Sequence, residues 1–176
     1  MKKISLLLVL VIALAWVCYY LIFREQAPVP ETPAALPVAS APASPATDLP
    51  DLTITKLDNT QLRVKELSGK NILFLFQPDC DHCQRETREI KAHLPAFKAY
   101  TLYFISNYPA DMLRKFSQDY GLAFAPNVVF ASTPVEGILN TLGPLPSPSL
   151  YIYDEHGRLV KSFLGETKIE QILPAL

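Results

Sequence analysis

The 176 residues carry 16 lysines and arginines against 17 aspartates and glutamates, a net charge of −1, so the clustered positive charge with which a dedicated nucleic-acid binder displaces phosphate counterions is absent. Three cysteines are too few for a small fold stapled by disulfides. A mean hydropathy of +0.17 together with 16 prolines is high for one soluble domain and points to a chain of unlike segments.

Ile4 to Phe23 is a run of 20 residues without a charge. As a helix it would span roughly 30 Å, the thickness of a bilayer's hydrocarbon core. Lys2 and Lys3 precede it, whereas Arg24 and Glu25 cancel behind it, so the positive-inside bias places the N-terminus in the cytoplasm and the rest of the chain outside. A cleaved signal peptide would end in small residues; Trp16, Val17, Cys18, Tyr19 and Tyr20 stand there instead and resemble an interfacial aromatic belt. Val17 ahead of Cys18 also departs from the small residue that precedes an acylated lipoprotein cysteine. The expectation is an uncleaved anchor over 1–24, with its transmembrane helix at 4–23.

From Ala27 to Pro50 there are 7 prolines and 7 alanines in 24 residues. Such a segment has nothing to bury and no periodicity, so 25–50 is expected to be a disordered, partly polyproline spacer. Residues 51–176 are then enough for one packed core.

Within that domain, Leu52–Leu57 and Leu62–Leu67 alternate apolar with polar around Asp58-Asn59 and predict a β-hairpin. Asn71–Phe76 is almost continuously apolar, as in a strand buried on both faces. A helix is expected from about Cys80, broken near Pro95. A strand at Thr101–Ser106, a helix at Ala110–Tyr120, a short strand at Asn127–Phe130 and a helix at Val135–Leu142 follow. Two strands, Ser149–Tyr153 and Arg158–Phe163, flank a turn at Asp154–Gly157, and a last helix begins at Thr167. This order predicts an α/β fold: a mixed central sheet flanked by helices.

The chemistry concentrates in Phe76-Gln77-Pro78-Asp79-Cys80-Asp81-His82-Cys83. Two cysteines three residues apart stand where a buried strand gives way to a helix. At the helix N-terminus Cys80 would meet unpaired N–H groups and the positive end of the dipole, which favour a thiolate, and Cys83 lies one turn on, within reach of a disulfide. His82, if protonated, would favour the thiolate further; Asp79 and Asp81 oppose it. Neither a second cysteine pair nor ligand-like spacing of His82, His93 and His156 completes a zinc site, and Gln84 stands where a haem-attachment motif requires histidine. So small a disulfide loop does little structurally, which leaves a redox-active Cys80/Cys83 pair with no cofactor beyond it.

With these residues in place, the domain resembles the thioredoxin-fold, membrane-anchored thiol-disulfide oxidoreductases of the TlpA and ResA type, the redoxin-domain proteins. Pro148, ahead of an apolar strand and the Asp154–Gly157 turn, is similar to that family's cis-proline. The resemblance implies a cis Ser147–Pro148 peptide beside the dithiol, with Ser147 and Pro148 binding substrate backbone. Glu86 completes the C-x-x-C-x-x-E spacing of the family; a carboxylate partly buried there would shuttle the proton of Cys83, whereas at the surface it would pair with Arg85 or Lys91. Asp79 stands where thioredoxins proper carry tryptophan, and Phe74 where they carry a buried acid. The Cys80-Asp81-His82-Cys83 centre has local similarity to the oxidising DsbA type. Gln77, where a peroxiredoxin has threonine, speaks against peroxide chemistry.

The expected function is a single-pass membrane protein whose extracytoplasmic domain exchanges disulfides with exported cysteine-containing proteins, cytochrome c precursors among them. Cys80 would be the nucleophile, Cys83 the resolving thiol, and the direction reductive. By the same resemblance it would be re-reduced by a membrane electron donor of the DsbD or CcdA type. A copper-binding assembly factor using Cys80, Cys83 and His82 is the alternative.

Overall fold

The computed structural model of the chain describes Trp16, Val17, Tyr19 and residues 48–176; apart from those few positions, the expected anchor at 4–23 and spacer at 25–50 lie outside the described residues. Trp16, Val17 and Tyr19 are helical and exposed. Among the described residues no helix is long and apolar enough to cross a membrane.

The apolar run Asn71–Leu75 forms β3, with every residue buried. Its side chains alternate across the pleat, so Ile72, Phe74 and the following Phe76 enter one core while Leu73 and Leu75 enter another. On one side β3 pairs in parallel with β4 (Thr101–Ser106), and on the other antiparallel with β6 (Ser149–Tyr153). Beyond β4 come β5 (Val128–Ser132), parallel to it, then β1 (Thr53–Lys56) and β2 (Gln61–Arg63), each antiparallel to its neighbour. Antiparallel to β6, β7 (Leu159–Leu164) closes the other edge. The order is β2-β1-β5-β4-β3-β6-β7, a mixed sheet.

Parallel neighbours need crossovers, which α1 (Asp81–Ala92) and α2 (Ala110–Asp119) supply. Together with α4 (Ile169–Ile172) they cover one face of the sheet, where Cys83, Ile90, Leu113, Phe116, Ile169 and Ile172 meet Phe74, Phe76, Phe104 and Phe130. This aromatic cluster lies under the start of α1: the rings of Phe76 and Phe116 meet tilted with centres 4.8 Å apart, and those of Phe74 and Phe104 meet edge to face at 5.0 Å. The other face is covered by α3 (Val135–Leu142) and by Leu52 and Val64.

Several boundaries shift by a residue or two from the sequence pattern, and three of the differences have a physical reason in the fold. The second strand stops at Arg63, because Val64–Glu66 turns as a 3₁₀ helix in which the Val64 N–H donates to Leu52 O and its side chain is buried. At its far end β5 runs on to Ser132, two residues past the apolar run, because it is held between β4 and β1. Packing begins at residue 48, ahead of the expected boundary at 51: Asp48 and Arg158 form an isolated antiparallel backbone β-bridge, and the Leu49 N–H donates to Gly157 O. Gly157 has φ +74°, and a Cβ on it would stand 3.2 Å from Leu49 Cδ1, so the turn and the incoming chain both call for glycine. Near Pro95 the chain leaves α1 as expected: the helix ends at Ala92 and a 3₁₀ turn, Leu94–Phe97, carries the proline.

Candidate active site

The end of β3 aims the chain at the dithiol. Past Leu75, Phe76 N–H donates to Ile105 O and Cys80 N–H to Gln77 O, a tight turn that leaves Cys80 as the N-cap of α1 with extended φ and ψ. Cys80 Sγ accepts the N–H of Cys83 at 3.5 Å, one of the otherwise unpaired donors of a helix start. The two cysteines are free thiols, Cys80 half-buried and Cys83 buried. Burial pushes the Cys83 thiol up to about 12, reinforced by Cys80 and Glu86 and opposed by the Gln77 N–H, which reaches its sulfur at 3.4 Å. The arrangement pairs an accessible sulfur with one that keeps its proton.

Facing Cys80 is the loop ahead of β6. The Ser147–Pro148 peptide is cis, and the Cys80 thiol donates to Ser147 O at 3.8 Å. Pro148 is buried, and its carbonyl accepts from Gly165 N–H at 2.8 Å.

Glu86 is 2% exposed and pairs with neither Arg85 nor Lys91. Its carboxylate accepts the Thr167 N–H at 2.9 Å, from the connection between β7 and α4. Burial raises its carboxyl to about 7, against the pull of that N–H and with a smaller push from Glu166. Being three residues after Cys83 puts the two on adjoining positions of α1.

His82 and Asp81 are exposed. The imidazole Nδ1 of His82 meets Glu166 Oε2 and lies 2.7 Å from Arg85 Nη2, so His82 is engaged by its own helix and by the connection after β7. Asp79 accepts the Tyr108 hydroxyl on both carboxylate oxygens at 2.8 Å. Glu166, Thr167 and Tyr108 carry no motif in the sequence. Glu166 stands 81 residues from Arg85, and only the fold brings these groups together.

The surface differs on the two flanks of the dithiol. A groove of about 810 Å³ along α1 is lined by Arg85, Glu86, Arg88, Glu166 and Lys168, among others. A smaller cleft of about 100 Å³ reaches from Gln77 and Ser147 to Val135, Leu139 and Leu145 and has no charged lining residue. Among the described residues, no group of three or more His, Cys, Asp or Glu side chains is placed to hold a metal ion.

The sequence model of the AhpC/TSA family matches residues 45–162. Among curated relatives, the thiol-disulfide oxidoreductase ResA of Bacillus anthracis is 26% identical over 130 residues, 71% of this chain and 72% of that one. ResA of Geobacillus thermodenitrificans is 25% identical over 171 residues, covering 95% and 88% of the two chains. Among solved structures, a secreted Mycobacterium tuberculosis disulfide oxidoreductase homologous to E. coli DsbE superposes with a TM-score of 0.57 at 17% identity, over 71% of this chain and 93% of that one. Copper-bound ScoI of Arabidopsis thaliana gives 0.58 at 15% identity over 73% and 94%. At such identities the structural likeness shows the shared thioredoxin-like fold alone.

Proposed function

The chain belongs to the AhpC/TSA family and is a thiol-disulfide oxidoreductase; on that premise we propose that it is a membrane-tethered, extracytoplasmic reductant of protein disulfides. The observation that carries the mechanism is the asymmetry of the pair: a half-buried Cys80 at a helix N-cap, and a buried Cys83 whose thiol holds its proton. The Cys80 thiolate attacks a substrate disulfide, forming a mixed disulfide and releasing one substrate thiolate, which takes a proton from solvent. Cys83 then passes its proton to Glu86 and attacks Cys80 Sγ; the Cys80/Cys83 disulfide forms and the second substrate thiolate leaves. A carboxyl near 7 is suited to that acceptance, since proton transfer is most effective when the base is poised at the working pH.

The substrate backbone would lie along the Ser147–Pro148 loop. Tethering rests on the uncharged run Ile4–Phe23 and the lysines before it, and the proline-rich stretch after it would let the domain range over the membrane surface. Each reductive cycle leaves an oxidised dithiol, so a membrane electron donor of the DsbD or CcdA type would return it to the thiol form, and cysteines of exported proteins, cytochrome c precursors among them, would be the targets.

The test is reduction of insulin disulfides by the full-length protein in detergent with dithiothreitol as electron source, beside copper loading of the same preparation. Catalysed reduction that Cys80→Ser abolishes is expected; one tightly bound copper without dithiol turnover would overturn the reading. A C-terminal tag cleavable by protease added outside intact cells is expected from the topology, and protection of that tag would refute it.

A further inference from the structure

Glu166 lies two residues past the end of β7, and its carboxylate grips the start of α1. Oε1 accepts Arg85 Nε at 2.7 Å and Oε2 accepts Arg85 Nη2 at 2.7 Å, a bidentate pair of the geometry in which such interactions are strongest, while Oε2 also meets His82 Nδ1. The neighbouring residues of the same connection are engaged too: Thr167 N–H holds Glu86, and Gly165 N–H holds Pro148 O. One short segment thus touches both the helix that bears the dithiol and the loop that faces it. Arg85 is in turn within electrostatic reach of Cys80 and Asp81 as well as of Glu166. His82 and Arg85 are the cationic and potentially cationic side chains of the first two turns of α1, and both end on one carboxylate.

A cation beside the nucleophilic sulfur stabilises its thiolate, hence the reduced state, and makes a dithiol a stronger oxidant. We propose that Glu166 is a positioning residue that neutralises Arg85 and His82 beside Cys80 and so holds the dithiol toward the reducing end of its range. This rests on the exchange reaction proposed above and deepens it by naming what sets its direction. The other charges around Cys80 are Asp79, held by Tyr108, together with Asp81 and the buried Glu86; Asp81 acts on Arg85 through space only, whereas Glu166 hydrogen-bonds it twice.

Glu166→Gln removes the negative charge and leaves Arg85 uncompensated. Equilibration of the full-length protein in detergent with glutathione buffers, read by the mass shift on thiol alkylation, is expected to show the reduced form favoured at least threefold more than in the wild type, about 14 mV at 29.6 mV per factor of ten. Arg85→Gln is expected to move the equilibrium the opposite way, and the double variant Arg85→Gln/Glu166→Gln to return to within twofold of the wild type. The Glu166→Gln shift should keep its sign in a His82→Gln background, where no imidazole contributes, and should shrink in 0.5 M salt. A purely structural clip would send Glu166→Gln and Arg85→Gln in the same direction or leave both unshifted, and either result overturns the proposal. A wild-type protein with no titratable dithiol couple would instead overturn the exchange reading itself.

Discussion

Burying Glu86 makes the fold less stable above neutral pH, and the size of that cost can be worked out. Its carboxyl ionises near 4.5 in the open chain and near 7 in the fold, mainly because it is buried. Below about pH 4.5 both states are protonated and the group contributes nothing to the balance. Between 4.5 and 7 the unfolded chain releases its proton while the folded one keeps it, so stability falls as pH rises. Above 7 the full difference of about 3 kcal/mol is lost. Glu86→Gln cannot ionise, and its side-chain carbonyl can still accept the Thr167 N–H. At pH 8 the variant should therefore be more stable than the wild type by up to about 3 kcal/mol, and at pH 4 nearly equal to it. Urea unfolding of the reduced proteins at both pH values measures this. It should be followed by circular dichroism, because the single tryptophan, Trp16, lies ahead of the domain. The difference between the two proteins removes every other titrating group. A variant no more stable than the wild type at pH 8 would refute both the burial argument and the base it supports. Catalysis should change the other way: resolution of the mixed disulfide should slow by about a hundredfold, the low end of what a positioned acid or base contributes, and lose its rise through pH 7.

Cys83→Ser should accumulate mixed disulfides through Cys80, visible as thiol-sensitive adducts in non-reducing gels, and Cys80→Ser/Cys83→Ser should show none. Val135 and Leu139, 42% and 48% exposed, border the uncharged cleft that begins at Ser147; Val135→Asp/Leu139→Asp should lower kcat/KM for a protein disulfide roughly tenfold, because apolar substrate side chains would no longer be buried there, and leave the rate with a small disulfide unchanged. Equal reductions on both substrates would place the damage in the dithiol instead. Tyr153 is fully buried and its hydroxyl has no partner among the described residues; Tyr153→Phe should hold or raise stability by about 1 kcal/mol in thermal unfolding, and a loss of more than about 1 kcal/mol would contradict that accounting.

What the sequence disclosed and what it concealed divide along the range of the interactions. β3, the Cys80 N-cap and the turn at Gly157 are set by patterns a few residues long: an unbroken apolar run, a C-x-x-C after it, a glycine where φ is positive. The place of β5 is not local. Its two extra residues, Ala131 and Ser132, become strand because β4 pairs with them on one side and β1, from the far end of the domain's sequence, comes back antiparallel on the other. His82 shows the same limit in the site. Spacing put an imidazole beside the nucleophile and left it to favour the thiolate, whereas the fold brings in Glu166 from 84 residues away, a carboxylate that no motif marks.

Glu86 and Glu166 illustrate how two carboxylates on one short path can be given opposite states by their surroundings. Glu86 has lost its water and has a single backbone N–H in compensation, so its proton is held to about 7. Glu166 stays partly in solvent and has Arg85 and His82 on it, so its carboxyl is driven down to about 2. Thr167 bonds the first and adjoins the second, so the same backbone that fixes the proposed proton acceptor behind Cys83 also fixes the proposed counter-charge beside Cys80. A shift of the connection after β7 would therefore disturb the resolving step and the redox poise together, while single substitutions separate them: Glu86→Gln should slow resolution and, below about pH 6, where Glu86 keeps its proton in the fold, leave the glutathione equilibrium within twofold, and Glu166→Gln should shift that equilibrium and leave the resolution rate within twofold.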